Sequence, residues 1–163
     1  MKRKYSTALV LVSVLSTPVL AETEGSGIYF GLKTGALEVD VSGFNFDTPV
    51  GLYGGFAPGV WGIEFEVVTA SGDFSGVDLD FDSLAVYGVY RSEGEIYIKG
   101  KGGFLRQEVS VNTSGFGRFN ETDTGVSFGV GVGARIDNIS FEAEYTFIEE
   151  DATLFSVGGR VCF

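Results

Sequence analysis

The sequence predicts an all-β chain, folded as an eight-stranded antiparallel up-and-down transmembrane β-barrel. Large apolar residues alternate with small or charged ones in eight segments, and a period of two is that of a strand whose side chains point to opposite faces. A soluble sandwich would bury the apolar face, whereas a membrane barrel turns it to lipid and keeps the charges in its lumen. Short turns also alternate with longer polar connections, as in barrels that cross a membrane.

The N-terminal residues have the pattern of an export signal. Lys2, Arg3 and Lys4 precede an apolar run over residues 8–15, and compact residues at 19–21 offer a cleavage site after Ala21. The apolar run is shorter than the roughly 20 residues that a membrane-spanning helix needs. We therefore expect residues 1–21 to be a signal peptide and residues 22–163 to form the barrel domain.

Charge and hydropathy narrow the class of protein. Without the signal peptide, 8 basic residues stand against 22 acidic ones, a net charge of −14, yet the mean hydropathy of the chain is +0.22. A nucleic-acid partner is excluded because it requires a basic surface. Strong charge combined with positive hydropathy suits a protein that has a lipid-facing belt and water-exposed ends.

The first three segments have a clear inward and outward face. In the first, Lys33 lies on the face opposite the large apolar residues, and in the second Val50 and Leu52 point outward. The third alternates most clearly, because four large apolar residues interleave with Glu64 and Glu66. The predicted ranges are 27–35, 49–56 and 61–67.

The fourth segment, residues 83–91, is ambiguous in phase. Either Leu84 and Val86 face the lipid, or the alternate positions do. Those alternate positions hold Ala85, Tyr87 and Val89. A shift of one residue moves every side chain to the other face, so the facing of this strand stays open at the level of sequence.

The last four segments resume a clear alternation. The fifth turns Ile96 and Ile98 outward, and the sixth sets valines and Phe128 against a row of inward glycines. The seventh places Phe141 outward between carboxylates, and the eighth ends on the apolar Phe163. The predicted ranges are 96–104, 125–135, 139–147 and 153–163.

The connections predict the orientation of the barrel. Those after segments 2, 4 and 6 are short turns, whereas those after segments 1, 3 and 5 are long and polar, at residues 37–48, 70–82 and 107–124. The connection at 149–151 is the exception, since it is barely longer than a turn. We expect periplasmic turns at one end and external loops at the other.

Charges on the inward face predict a network inside the lumen. An eight-stranded barrel has an interior just wide enough for side chains to fill, and an unpaired buried ion is costly, so these charges should pair. A salt-bridged plug is the favoured interpretation and a gated ion path is the alternative. The predicted network is Lys33, Glu64, Glu66, Lys99, Lys101, Arg135, Glu142, Glu144 and Arg160.

Catalytic and metal sites are weakly supported. The chain has no histidine, so no Ser-His-acid triad can be built, and we expect neither an enzyme nor a cofactor. The acidic run at residues 77–82 offers the oxygen ligands that Ca²⁺ or Mg²⁺ take, but it lacks the pattern of an EF-hand loop. A solvated acidic loop is the favoured interpretation, and no metal site is predicted.

The chain resembles the small eight-stranded outer-membrane β-barrels, which include opacity-type, OmpA-barrel-like and OmpX-like members of the porin family. The signal peptide, the alternating segments, the stretch at 97–104 and the ending at 157–163 carry this resemblance. It implies a bacterial outer-membrane location and outer-membrane lipid as a partner. It also implies that Phe163 is an assembly signal for the barrel-assembly machinery. Lipid A deacylases and palmitoyltransferases of this architecture use an essential histidine, which this chain lacks.

The function that these observations favour is that of a non-enzymatic integral outer-membrane barrel, with a structural or surface-interaction role and a charge-plugged lumen. Two alternatives are kept. One is a surface ligand-binding or adhesion protein that uses the acidic loops, and the other is a narrow cation-preferring channel. The sequence identifies no surface ligand.

Overall fold

The computed structural model describes residues 27–39, 47–74, 77–113, 117–148 and 152–163. Eight antiparallel strands, each bonded to its neighbours in sequence, close into a barrel when the last pairs with the first. The predicted fold class is therefore confirmed. The predicted signal peptide and its cleavage after Ala21 lie outside the described residues. The strands are β1 (Ile28–Val39), β2 (Val50–Phe56), β3 (Trp61–Phe74), β4 (Val77–Arg91), β5 (Ile96–Thr113), β6 (Gly117–Ile136), β7 (Ile139–Ile148) and β8 (Ala152–Cys162).

The contact between β1 and β8 closes the barrel. The pairing runs from Tyr29 opposite Cys162 to Val39 opposite Ala152. Beyond the strand itself, the backbone N–H of Phe163 donates to the carbonyl oxygen of Ile28 at 2.9 Å. Closure gives every strand a paired neighbour on both sides of the barrel wall, which is the condition for a β-structure to sit in lipid.

An apolar surface surrounds the barrel. Along every strand the large apolar side chains alternate with buried ones and point outward, with Trp61 69% exposed and Ile96 80% exposed. Among the described residues no helix has the length and hydropathy to cross a membrane. The outward set includes Ile28, Phe30, Leu32, Leu52, Ile63, Phe65, Val86, Phe104, Phe128, Val130, Val132, Phe141 and Phe155.

The facing of β4 is settled by its neighbour. Directly opposed residues of an antiparallel pair share a face, and Tyr87 lies opposite Glu64 on the unambiguous strand β3. Ala85 and Tyr87 are accordingly buried inside the barrel, while Leu84 is 54% exposed on the outside. Of the two phases that the sequence left open, the structure has the one that turns Leu84 to the lipid.

The prediction of long polar loops at residues 70–82 and 107–124 is wrong. β3 and β4 remain paired up to Phe74 opposite Val77, and β5 and β6 remain paired up to Thr113 opposite Gly117. Beyond the apolar belt the outward positions meet water and hold residues such as Asp80 and Asp82, whereas Ala70 and Phe81 are still buried on the inward face. The outward apolar row therefore stops although the ladder of backbone hydrogen bonds continues. We call these extensions the two hairpin stems, residues 70–74 with 77–82 and 107–113 with 117–124. β1 also continues past the predicted residue 35 to Val39.

Two neighbouring glycines of β5 differ in the space around them. A Cβ atom on Gly103 would collide with the carbonyl oxygen of Val86 on β4, whereas a Cβ on Gly102 would meet nothing within 4 Å. Gly103 points into the barrel, where the strands curve tightly towards each other, and Gly102 points outward. Only Gly103 is therefore required by packing.

We expect Gly103→Ala to lower the free energy of unfolding by about 2–3 kcal/mol, because the backbone of β4 has to move away from the added methyl group. Gly102→Ala, one residue away on the same strand, should change it by less than about 0.5 kcal/mol. Urea unfolding of both variants in lipid vesicles measures the difference. Equal stability of the two variants would contradict the close contact between β4 and β5.

Candidate functional site

Nine charged side chains fill the interior of the barrel. They project from β1, β3, β4, β5, β7 and β8, and each residue is no more than 7% exposed. Five are basic and four are acidic, so the buried set carries one excess positive charge. The basic members are Lys33, Arg91, Lys99, Lys101 and Arg160, and the acidic members are Glu64, Glu66, Glu142 and Glu144.

Lys99 is the centre of this network. Its Nζ lies 2.9 Å from Glu64 Oε1, 3.1 Å from Glu142 Oε2 and 2.8 Å from Glu144 Oε2. An ammonium group has three N–H donors, so three carboxylates match its full bonding capacity. Lys99 thereby joins strands β3, β5 and β7 across the lumen.

A second group of charges lies on the side of Lys99 that is nearer the stems. Lys33 Nζ is 2.6 Å from Glu66 Oε2 and 3.5 Å from Glu144 Oε1. Lys101 Nζ is 2.9 Å from Glu66 and 2.5 Å from Glu144. Two lysines thus share two carboxylates, and these four charges balance.

On the side of the turns, Arg91 connects the remaining carboxylates. Its Nη2 is 2.6 Å from Glu64 and its Nε donates to Glu142 at 2.9 Å. Tyr29 donates its hydroxyl to Glu64 at 2.9 Å, and Tyr97 donates to Glu142 at 2.7 Å. Arg91 was not predicted from the sequence because the phase of β4 was open, and its register opposite Lys99 places it on the inward face.

The last two predicted members of the network behave differently. Arg160 is buried, with Nε 3.3 Å from Glu142 and the guanidinium 4.8 Å from the ring centre of Tyr29. Arg135 is not brought into the network: it is exposed, and among the described residues it forms no salt bridge. Its place next to the turn at Asp137 puts it at the rim of the barrel, where water solvates the guanidinium. It lies 5.3 Å from the ring of Tyr97.

An apolar layer covers the charges on the side of the stems. These inward residues are almost completely buried, and Leu37 and Ala152 pack against them. This layer was not predicted from the sequence, because the inward face of the strands was expected to be polar throughout. The signal was present in pairs such as Phe104-Leu105 and Phe147-Ile148, where two apolar residues in succession must point to both faces. The layer consists of Val68, Ala85, Leu105, Ile148 and Leu154, together with Tyr87 and Val89, which lie opposite Glu64 and Lys101 and extend beside the charges.

Cavities of very different size lie among the described residues. One of about 10 Å³ lies among the charges beside Tyr53 and Lys99, and it is large enough for about one water molecule. Another, of about 340 Å³, lies at the turn end and is lined by Tyr29, Arg91 and Arg160. Among the residues that the structure describes, no cluster of histidine, cysteine or carboxylate side chains is arranged to hold a metal ion.

A protein-family model matches most of the sequence. Residues 7–158 match the model of the outer membrane protein beta-barrel domain. The chain belongs to this family. Its members are proteins of the bacterial outer membrane, so the predicted resemblance and location are confirmed, and lipid surrounds the apolar belt of this outer-membrane barrel. No individual curated protein matches the chain significantly by sequence.

Solved structures of outer-membrane barrels share the fold. Neisserial surface protein A (NspA) has a TM-score of 0.70 at 15% identity, over 85% of this chain and 99% of that one. Ail, the attachment invasion locus protein of Yersinia pestis, has a TM-score of 0.59 at 19% identity, over 86% and 100%. The N-terminal barrel domain of Pseudomonas aeruginosa OprF has a TM-score of 0.60 at 11% identity, over 85% and 99%.

Proposed function

We propose that this outer-membrane barrel is non-enzymatic and closed, with a structural or surface-interaction role. The observation that carries the proposal is the two-layer interior, in which an apolar layer lies over a paired charge network. The network replaces the hydrophobic core of a soluble protein, and the strands it connects come from all sides of the barrel. Its breakage would leave buried charges without partners, which makes the network a structural element.

A continuous ion path is opposed by both layers. An ion that entered from the stem side would lose its water among Val68, Leu105 and Leu154, where no charged group replaces the lost hydration. A cation that reached the next layer would meet five basic groups against four carboxylates. This balance disfavours the cation-preferring channel that the sequence left as an alternative.

The pairing of the lumen carboxylates with basic side chains argues against a catalytic role. The chain contains no histidine, so carboxylates and tyrosines are the acid-base candidates that remain in the lumen, and of these the carboxylates are ionised near neutral pH. All four lie within salt-bridge distance of lysine or arginine, and three of them surround Lys99. Each is held by structural partners, and none of the four lines the large cavity at the turn end.

Planar-bilayer recording tests the closed lumen. We expect the purified barrel to insert without steady single-channel steps, because both the apolar layer and the salt bridges block the path. A conducting outer-membrane porin in the same bilayers is the positive control. Steady steps that disappear in Glu64→Gln or Glu142→Gln would overturn the closed-lumen proposal and favour the channel.

A surface-interaction role has one specific observation in its favour. Asp80, Asp82 and Asp123 are exposed on the hairpin stems, where Arg106 is a basic neighbour. Ail is known in complex with a heparin analogue, sucrose octasulfate, which is a polyanion. The exposed stem residues of this chain are themselves acidic and would repel a polyanion of that kind, so the second candidate function is the binding of a basic surface ligand.

We also propose that Phe163 is read by the barrel-assembly machinery and that export uses residues 1–21 as a signal peptide. In support, the side chain of Phe163 is 55% exposed on the outside of the closing strand pair. Its ring contacts Phe30 edge to face, with centroids 6.4 Å apart. A receptor that bound β8 before closure would find this ring at the turn end of the strand.

A further inference from the structure

The large cavity at the turn end gathers arginines from three strands. Arg91 of β4, Arg135 of β6 and Arg160 of β8 all line its volume of about 340 Å³. Cavities of this size are within the range that holds small ligands. Since the short turns of an outer-membrane barrel face the periplasm, the cavity opens to that compartment. We call it the arginine vestibule.

Arg160 is the member whose bonding capacity is unused. The residue is 4% exposed, and its Nε has no hydrogen-bond partner although it lies 3.3 Å from Glu142. The rings of Tyr29 and Tyr97 hold its guanidinium at 4.8 and 5.8 Å. A buried donor without an acceptor is costly, and in native proteins such a group has an explanation. Arg160 is weakly paired with the charge network and also lines the vestibule, so an oxyanion in the cavity would meet a guanidinium that lacks a full set of acceptors.

The charge of the interior also calls for an anion at this end. Near the stems Lys33 and Lys101 are balanced by Glu66 and Glu144, so the excess positive charge lies towards the turns. Arg135 adds a further positive charge at the rim and stands 5.3 Å from Tyr97. Arg135 and Arg160 thus flank the same aromatic ring from the water side and from the buried side.

The acidic groups near the vestibule do not cancel this charge. Glu64 and Glu142 already bind Arg91 and Lys99. Glu93 and Asp137 line the mouth, and both are exposed, as Arg135 is, so water and salt screen all three charges and the buried Arg160 carries most of the attraction. Guanidinium groups bind planar or tetrahedral oxyanions through paired N–H donors, which lysine cannot do in the same way.

We propose that the arginine vestibule binds a phosphate-class oxyanion from the periplasmic side. Arg160 donates from the buried wall and Arg135 donates from the rim. Arg91 adds positive charge behind them while it stays paired with Glu64 and Glu142. The oxyanion belongs either to free phosphate or to a phosphorylated headgroup, and both present the same oxygens to the two arginines.

Calorimetric titration of the barrel in a nonionic, phosphate-free detergent tests the proposal, with inorganic phosphate and glycerol 3-phosphate as probes. We expect saturable binding, and a loss of affinity of at least about tenfold in Arg135→Gln and in Arg160→Gln, as charge-assisted hydrogen bonds are removed. Arg106→Gln is the matched control, because Arg106 is exposed on the outer face of β5. Binding of glycerol 3-phosphate alone assigns the site to a headgroup, and binding of both probes assigns it to phosphate in general.

Arg135→Gln keeps the test independent of folding. Arg135 forms no salt bridge with the described residues, so its loss leaves the lumen network intact, which unchanged heat-modified electrophoretic mobility would verify. Absence of saturable binding of either probe would overturn the proposal. So would binding that is equally strong in wild type, Arg135→Gln and Arg160→Gln.

Discussion

Lys99→Met is expected to lower the free energy of unfolding by about 3–5 kcal/mol, the cost of breaking a buried ion pair by the removal of one partner. Lys99 Nζ lies within 3.1 Å of three carboxylates, and methionine fills the space without the charge. Glu142 and Glu64 would keep Arg91, but Glu144 would depend on Lys33 and Lys101 alone. Urea unfolding in lipid vesicles, followed by the fluorescence of Trp61, the one tryptophan of the chain, measures the loss.

Arg106→Met is the matched control for this variant. It also replaces a basic side chain of β5 with methionine, but Arg106 is exposed, so we expect a change within about 0.5 kcal/mol. If Lys99→Met and Arg106→Met were equally mild, the lumen network would not stabilise the barrel. The proposal of a structural charge plug would then fail.

Val130→Arg is expected to destabilise the barrel by about 2–4 kcal/mol, the cost of a cationic side chain at the middle of the lipid-facing surface. Val130 is 59% exposed and stands near the middle of the outward apolar row of β6, between Val126 and Ile136. Its neighbour on β5 is Gly100, so the arginine has space on the protein surface and the cost comes from the lipid. The same unfolding experiment in vesicles measures it.

Thr122→Arg controls for depth in the membrane. Thr122 is on the same face of β6 but within a stem, opposite Glu108 of β5. There we expect a cost of about 0–1 kcal/mol, since the guanidinium stays in water. Equal costs at both positions would contradict a bilayer around residue 130 and would favour a soluble lipid-binding barrel.

Within the lipid the fold was readable from sequence. Lipid requires apolar side chains on the outward face of each strand. In β3 four large apolar residues meet this requirement and alternate with Gly62, Glu64 and Glu66. The rule does not act on the inward face, where lysine, tyrosine, glycine and leucine all occur. Consequently the apolar layer around Leu105 and Leu154 was invisible until register brought those residues together.

The two errors in the predicted charge network, the omission of Arg91 and the inclusion of Arg135, have physical reasons as well. Arg91 is the last residue of a strand whose neighbours are apolar in both phases, so its direction depends on pairing with Lys99. Arg135 has the inward phase but lies at the rim. Alternation shows which face of the strand a side chain is on, but not how far along the barrel axis it lies. Distance along the barrel axis, which decides between a salt bridge and a solvated charge, comes from the register of neighbouring strands.

The hairpin stems have a consequence for engineering. β6 has 20 residues, about 66 Å of strand at about 3.3 Å per residue. Tilted by about 40°, it rises about 50 Å along the barrel axis, about twice the roughly 25 Å height of an apolar band. Residues near its external end are thus held far from the bilayer by the hydrogen-bonded pairing of β5 with β6. The apolar layer separates them from the charge network inside the barrel. A peptide grafted between Thr113 and Gly117 would be displayed on a stiff support, and its sequence could be varied freely without disturbance of the charge network inside the barrel.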